Sequence, residues 1–209
     1  MPLVILASAS ERRRSLMSEF FGDCGIELEF CELLESEPEP CSGIEVRRQV
    51  EATCLQKARA AASELGGKER SNLNLIVVSD TLVEDPDDSR IALGKPDDKI
   101  CAASTLIRLS GRRHKVWSST GIMTRSKGEV EIGRGWLADI RTDYSIVEFD
   151  EIDEEIMGDL IGSGSWEGKA GGYDLAGRAG HFARIIEGED VTVLGFSISA
   201  IRELRRILH

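Results

Sequence analysis

The sequence has 209 residues, of which 41% are apolar, 30% are charged and 5% are aromatic. This composition excludes intrinsic disorder over most of the chain and predicts one large domain or two tight lobes that bury roughly 70% of the unfolded surface. The 26 basic and 37 acidic residues give a formal net charge of −11, which disfavours broad binding to nucleic acid polymers or anionic membranes. A small anionic ligand stays compatible with this charge if basic residues gather locally.

The five cysteines show neither a CxxC nor a paired-zinc spacing, so we expect reduced, mostly structural thiols. The N-terminus is too short and too little basic for a signal peptide, and no apolar run approaches the ~20 residues of a membrane span. We therefore expect a cytoplasmic protein without a membrane partner.

Apolar periodicity predicts alternating strands and helices along the chain. In the first half we expect strands over 3–7, 26–30 and 75–78, helices from 11 to about 21 and over 45–65, and a loop over 35–40. In the second half we expect loops around a short strand over 85–98, strands over 116–124, 129–144 and 182–186, helices over 99–109, 150–161 and 197–208, and a glycine-rich stretch over 162–180. This alternation, without a repeat or linker, favours one α/β unit with two lobes around a cleft.

The first candidate for chemistry follows the first strand, where Ser8 and Ser10 precede three arginines at 12, 13 and 14. Hydroxyls and free amides at a helix start, followed by guanidinium groups, suit phosphate oxygens. The alternative is that Ser10 only caps the helix while the arginines face solvent. Because successive helical residues point about 100° apart, we do not expect all three arginines to face one ligand.

Two further candidates follow later strands. Asp80, at the predicted end of a buried strand, could hold a divalent cation or activate a water, or it could be an ordinary turn residue. Lys95 stands beside Gly94, where a phosphate could approach closely, although a solvated cation on a turn is the alternative. His114 is expected to be a surface residue or a hydrogen-bonded core histidine rather than a catalytic one.

The stretch from Trp166 to Gly180 has more glycine than a plain connector needs. Glycine lets backbone amides close on a ligand, and Glu167, Lys169 and Asp174 could supply charge there. The alternative is a merely mobile loop. The stretch matches neither a Walker loop nor a GxSxG nucleophile elbow.

In their order along the chain, these segments resemble the Maf-like nucleotide pyrophosphatase family from Leu6 to about Leu204. The motifs that carry the resemblance are LASASERR at 6–13 for LASxSPRR, SDT at 79–81 for ADT, LGKP at 93–96, SGRRH at 110–114 for SGxxH, and KAGGY at 169–173 for KAGxY. Five ordered matches are far more specific than any single one.

The resemblance implies a single domain over residues 1–209 with an inosine-triphosphatase-like α/β fold. Its mixed, elongated sheet would have flanking helices and two lobes around a deep cleft. It also implies hydrolysis of nucleoside triphosphates, such as dTTP, UTP or modified nucleotides, to a monophosphate and pyrophosphate with Mg²⁺, Mn²⁺ or Co²⁺, in a homodimer. A non-catalytic nucleotide-binding regulator is the alternative.

The same resemblance assigns roles to individual residues. Asp80 would be the proton acceptor and, together with Glu37, a metal ligand, although Glu35 competes with Glu37 for that place. The residues implied in substrate binding are Ser8, Arg12, Arg13, Lys57, Thr81, Lys95 and Lys169.

Arg12 stands where the family branch for methylated guanine nucleotides carries tryptophan, which favours the branch acting on dTTP and UTP. The chain departs from the family pattern at Glu11 for proline, at Ser79 for alanine, and at residues 174–177, which are DLAG instead of GIQG. Ala176 cannot make the base-edge hydrogen bonds of a glutamine, so the sequence leaves the preferred base open.

Overall fold

The computed structural model of the chain describes residues 1–34, 43–66 and 73–208. The strands are β1 (Leu3–Ala7), β2 (Glu27–Cys31), β3 (Leu73–Glu84), β4 (Ala92–Leu93), β5 (Arg113–Thr124), β6 (Val130–Gly133), β7 (Trp136–Phe149) and β8 (Ala183–Glu187). The α-helices are α1 (Glu11–Phe21), α2 (Val46–Glu64), α3 (Lys99–Leu109), α4 (Glu154–Gly162), α5 (Asp190–Leu194) and α6 (Ile198–Leu208). Across these described ranges, none of the helices is long and apolar enough to cross a membrane.

The eight strands form one mixed sheet in the order β2-β1-β3-β5-β7-β6, with β4 paired to β3 and β8 paired to β7. β1 is parallel to both of its neighbours, whereas β3, β5 and β7 pair antiparallel. These three strands have 12, 12 and 14 residues, so they form a long central strip. The predicted mixed, elongated sheet is confirmed.

Helices cover both faces of the first half of this strip. On one face Ala58 of α2 packs in the same cluster as Val78 of β3. On the other face Phe21 of α1 and Ile201 of α6 pack with Val77. Val77 and Val78 face opposite sides because side chains alternate along a strand, and this explains why residues 75–78 form a continuous apolar run.

A separate cluster covers the other half of the strip. Val83 of β3 and Val147 of β7 pack there with Leu106 of α3 and Leu160 of α4. The long strands therefore connect two lobes, one built on α1, α2 and α6 and the other on α3 and α4, as predicted.

One of the five cysteines shows the structural role that was expected of them. Cys54 is fully buried on α2 within the first core cluster. Burial raises the pKa of its thiol to about 12, so the thiol stays protonated and behaves as a small apolar side chain.

The strand predicted over 129–144 is wrong, because this region is a hairpin of β6 and β7. Gly133, Arg134 and Gly135 all have positive φ, at 103°, 51° and 73°, and they turn the chain back on itself. The two glycines were the available signal. The later helix begins at Glu154 rather than at about 150, because the Asp153 carboxylate caps it by accepting the Ile156 amide.

The buried carboxylate of Asp85 fixes the loop after β3 to α3. Asp85 is 3% exposed and accepts hydrogen bonds from Arg108 Nη2 at 2.9 Å and from the Asp87 amide at 2.8 Å. Burial opposes ionisation, but these hydrogen bonds outweigh it and hold the pKa of Asp85 below its ordinary value.

Replacing Asp85 should show this contribution. We expect Asp85→Ala to lower the free energy of unfolding by about 2 kcal/mol at pH 7, measured by urea unfolding. Because the folded pKa is depressed, the contribution is complete above about pH 4, the unfolded value, and is lost as the pH falls further. The difference between the two proteins should therefore shrink below about pH 4.

The matched control is Asp88→Ala, which removes a half-buried carboxylate that pairs with the exposed Arg90. An exposed pair of this kind contributes about 0.5 kcal/mol or less. Equal losses for the two variants would contradict the role given to Asp85.

Candidate functional site

The cleft lies where pairing along one edge of β3 is interrupted. β1 pairs with β3 as far as Val77, and β4 pairs with the same edge from Val83 onward. Within the described part of the chain, no strand pairs with this edge between those two residues, and a cleft of about 910 Å³ opens there. Ligands in α/β proteins bind at such changes in strand order, at the carboxyl ends of parallel strands.

Eight residues that the sequence singled out line this one cleft. They are Ser8, Arg12, Arg13, Lys57, Asp80, Thr81, Lys95 and Lys169. Glu37 and its competitor Glu35 lie outside the described residues. Asp80 was expected just after a strand, and this is wrong: β3 continues to Glu84, because Leu82 and Val83 are also buried.

The Asp80 carboxylate forms a buried ion pair with α2. It is 5% exposed, and its Oδ1 accepts a hydrogen bond from Lys57 Nζ at 2.7 Å. Its other oxygen, Oδ2, is buried and has no hydrogen-bond partner among the described residues. A buried carboxylate oxygen is costly to leave unpaired, so this atom marks a position suited to a bound water or cation.

The three arginines of α1 separate as the helical geometry predicted. Arg12 and Arg13 line the cleft, whereas Arg14 turns away and donates to the Ser8 carbonyl and to Glu32. Ser10 caps the helix by accepting the Arg13 amide at 3.4 Å. The capping role and the cleft-lining arginines therefore coexist.

Backbone carbonyls just after α5 hold both cleft arginines. Arg12 Nε donates to the Leu194 carbonyl at 3.0 Å, and Arg13 Nε donates to the Gly195 carbonyl at 2.9 Å. Arg13 Nη2 also donates to Thr81 Oγ1 at 3.0 Å. Sequence reasoning missed α5 and these carbonyls, since backbone acceptors give no residue signature.

Buried hydroxyls of the sheet fix that segment in turn. Ser79 Oγ donates to the Gly195 carbonyl at 2.7 Å, and Ser118 Oγ donates to the Thr192 carbonyl at 2.7 Å. Thr120 Oγ1 accepts the Ser197 amide at 2.9 Å. The serine at position 79, where the resembled family has alanine, therefore supports the carbonyl that holds Arg13.

His114 and Tyr173 form a buried pair in the wall of the cleft. His114 is 3% exposed, and its Nε2 lies 2.8 Å from the Tyr173 hydroxyl. Burial lowers the pKa of His114 to about 4 and raises the pKa of Tyr173 above its ordinary value, so both groups are neutral near pH 7. The core interpretation of His114 is confirmed.

The charge of the cleft differs in sign from that of the chain. Six basic and four acidic side chains line it, against the formal −11 of the whole sequence. The local gathering of cations that an anionic ligand requires is therefore present. Arg59 and Glu32 also line the cleft and were missed, because nothing in their sequence neighbourhood distinguishes them from solvated residues.

The donor set at Asp80 is compatible with a divalent cation. The described residues contain no group of three or more metal-ligating side chains. Mg²⁺ commonly uses only one or two carboxylates, with waters and substrate phosphates completing its shell. The unpartnered Asp80 Oδ2 fits that requirement.

A helix N-terminus, paired arginines and a buried carboxylate in one cleft define a phosphate-binding α/β protein. The family model described as Maf-like protein matches residues 3–207. The chain therefore belongs to the Maf-like family.

Curated relatives match nearly the full chain. A dTTP/UTP pyrophosphatase from Thermococcus gammatolerans is 34% identical over 205 residues, covering 98% of this chain and 96% of the relative. A dTTP/UTP pyrophosphatase from Novosphingobium aromaticivorans is 31% identical, covering 98% of this chain and 91% of the relative. Among solved structures, a HAM1 protein from Coxiella burnetii aligns at 16% identity with a TM-score of 0.46, over 71% of this chain and 73% of that one.

The burial of His114 predicts a pH dependence of stability. Its folded pKa of about 4 lies below the unfolded value of about 6.5, so the unfolded state binds more protons between these values. From pH 7 to pH 4 the wild-type protein should therefore lose about 3 kcal/mol more unfolding free energy than His114→Gln, which keeps a hydrogen-bonding group but does not titrate. Urea unfolding across this range measures the difference, and parallel pH curves for the two proteins would argue against a buried neutral His114.

Proposed function

We propose that this protein hydrolyses dTTP and UTP to the nucleoside monophosphate and pyrophosphate. The observation that carries the proposal is the position of Asp80, whose unpartnered Oδ2 lies in the same cleft as two arginines and three lysines implied in phosphate binding. The dTTP/UTP pyrophosphatases among the relatives support the choice of reaction and of nucleotides.

Asp80 is the proposed proton acceptor. Lys57 holds Oδ1 at 2.7 Å and so orients the carboxylate, which leaves Oδ2 to bind the attacking water. The water oxygen bonds to the α-phosphorus, its proton passes to Asp80, and the bond from the α-phosphorus to the bridging oxygen breaks. Pyrophosphate leaves with that bridging oxygen, and the water oxygen remains on the monophosphate.

The cations of the cleft are the proposed phosphate ligands. Arg12 and Arg13 present guanidinium groups already oriented by carbonyls, and charge-assisted hydrogen bonds to phosphate are about twice as strong as neutral ones. Lys95 and Lys169 add positive charge to the cleft wall. Ser8, before the N-terminus of α1, and Thr81 complete the proposed substrate contacts.

We also propose that the reaction uses a divalent cation, Mg²⁺, Mn²⁺ or Co²⁺. Asp80 Oδ2 would be one ligand, and Glu37, outside the described residues, would be another. When bound, the cation would neutralise part of the triphosphate charge. The buried, unpartnered oxygen supports this proposal.

Preference for the base rests on Arg12 and on the relatives, since Ala176 is exposed and offers only a methyl group. We further propose that residues 1–209 act as a single domain, because one sheet connects both sides of the cleft. Assembly as a homodimer and a cytoplasmic location stay predictions.

The proposal predicts metal-dependent release of pyrophosphate from dTTP and UTP. We expect Asp80→Asn, which keeps the shape of the side chain but removes its charge, to lower kcat by at least about 100-fold. Pyrophosphate and orthophosphate should be measured separately, with Mg²⁺, Mn²⁺ or Co²⁺ and after chelation, over a panel of canonical and modified nucleoside triphosphates.

Asp159→Asn is the matched control, since it makes the same chemical change in an exposed pair with Arg178. Native pyrophosphate release by Asp80→Asn would overturn the assignment of Asp80. Nucleotide binding without turnover would show the non-catalytic regulator instead, and orthophosphate as product would show a phosphatase.

Gly195 offers a second test, because its contact with Arg13 is steric as well as polar. Its φ is +127°, and a Cβ there would lie 2.8 Å from Arg13 Nε. We expect Gly195→Ala to displace the guanidinium and lower kcat/KM for dTTP by about tenfold or more, as for loss of a charged hydrogen bond. Gly158→Ala on α4, where a Cβ meets nothing within 4 Å, should retain native kinetics, and native kinetics for both variants would contradict the role of Arg13.

A further inference from the structure

Asp174 places a carboxylate beside the cations of the cleft, at a position where the resembled family has glycine. Its Oδ1 accepts a hydrogen bond from Arg12 Nη1 at 2.9 Å, and its Oδ2 lies 4.0 Å from Lys169 Nζ. The Asp174 side chain is 21% exposed. Arg12 and Lys169 line the cleft, and Asp174 lies behind them rather than in the wall.

The two cations that Asp174 contacts are among those proposed to bind phosphate. A carboxylate and a phosphate use the same donors of a guanidinium group, so they compete for it. Both partners of the Arg12 ion pair are only about one-fifth exposed, so solvent and salt screen their attraction incompletely. Any phosphate at Arg12 or Lys169 therefore binds against the field of Asp174.

Arg12 does not need Asp174 to keep its orientation. Its Nε is held independently by the Leu194 carbonyl at 3.0 Å. The carboxylate also accepts the Ala176 amide at 3.1 Å and so shapes its own turn, but an uncharged oxygen at the same place would do this equally well. The negative charge at position 174 thus has an effect separate from the local geometry.

We propose that Asp174 is an internal competitor for phosphate that lowers the affinity of the cleft for all polyphosphates by a similar factor. A triphosphate stays bound through its contacts with the remaining cations, whereas pyrophosphate has fewer contacts and leaves. Asp174 therefore limits inhibition by the pyrophosphate product. The role in product release rests on the proposed function, but the competition itself does not.

The test is calorimetric binding of inorganic pyrophosphate to the full chain with Mg²⁺, for the wild-type protein and Asp174→Asn. Asparagine keeps an oxygen acceptor for Arg12 and for the Ala176 amide but removes the charge. We expect the variant to bind pyrophosphate about tenfold more tightly and to be inhibited by it at about tenfold lower concentration during turnover. Asp159→Asn, in its exposed pair with Arg178, should leave the pyrophosphate affinity unchanged.

Unchanged or weaker pyrophosphate binding by Asp174→Asn would overturn the proposal, since a residue that only positions Arg12 would give that result. The same holds if neither protein binds pyrophosphate. Asp174→Ser, which also retains an uncharged oxygen, replaces the asparagine variant if that variant does not fold. Failure of the proposed function would look different: no nucleoside triphosphate would release pyrophosphate, whatever the effect of Asp174 on pyrophosphate binding.

Discussion

The interrupted pairing along β3 is the constraint on which the site depends. A strand whose edge is fully paired has neighbours at the level of every residue, and no ligand can reach its side chains from that edge. Because β1 stops pairing at Val77 and β4 starts at Val83, the chain between them stays part of a rigid strand while Asp80 remains accessible from the cleft. Strand alternation then directs Asp80 toward Lys57 on one face and Thr81 toward Arg13 on the other.

The middle of the sheet is polar, and this has a structural purpose. Ser118, Ser119, Thr120 and Ser145 are fully buried where β5 and β7 cross the level of the cleft. Their hydroxyls bond mainly to backbone groups and to one another, so the polar atoms are satisfied without introducing charge. This layer connects the two apolar cores and anchors the segment that orients the arginines.

Much of the fold could be predicted from local patterns, and so could the identity of the cleft residues. The runs at residues 3–7 and 75–78 are apolar because both of their faces are covered, and the helix start at Glu11 has a capping serine before it. The prediction failed where the determinant was not local. β3 continues past Asp80 because its later residues pack on another lobe, and the hairpin turn in 129–144 was hidden within a continuous β-forming pattern. Contacts that use backbone carbonyls, such as those of Leu194 and Gly195, leave no trace in the sequence.

The arginine and carbonyl contacts join residues separated by 182 positions, at opposite ends of the described chain. During synthesis, Arg12 and Arg13 leave the ribosome early and wait for their acceptors until the segment around Gly195 has emerged. A nascent chain that already contains β1, β3 and α2 has the Asp80 and Lys57 pair but not the oriented guanidinium groups. The cleft is therefore assembled last, which ties its formation to completion of the fold.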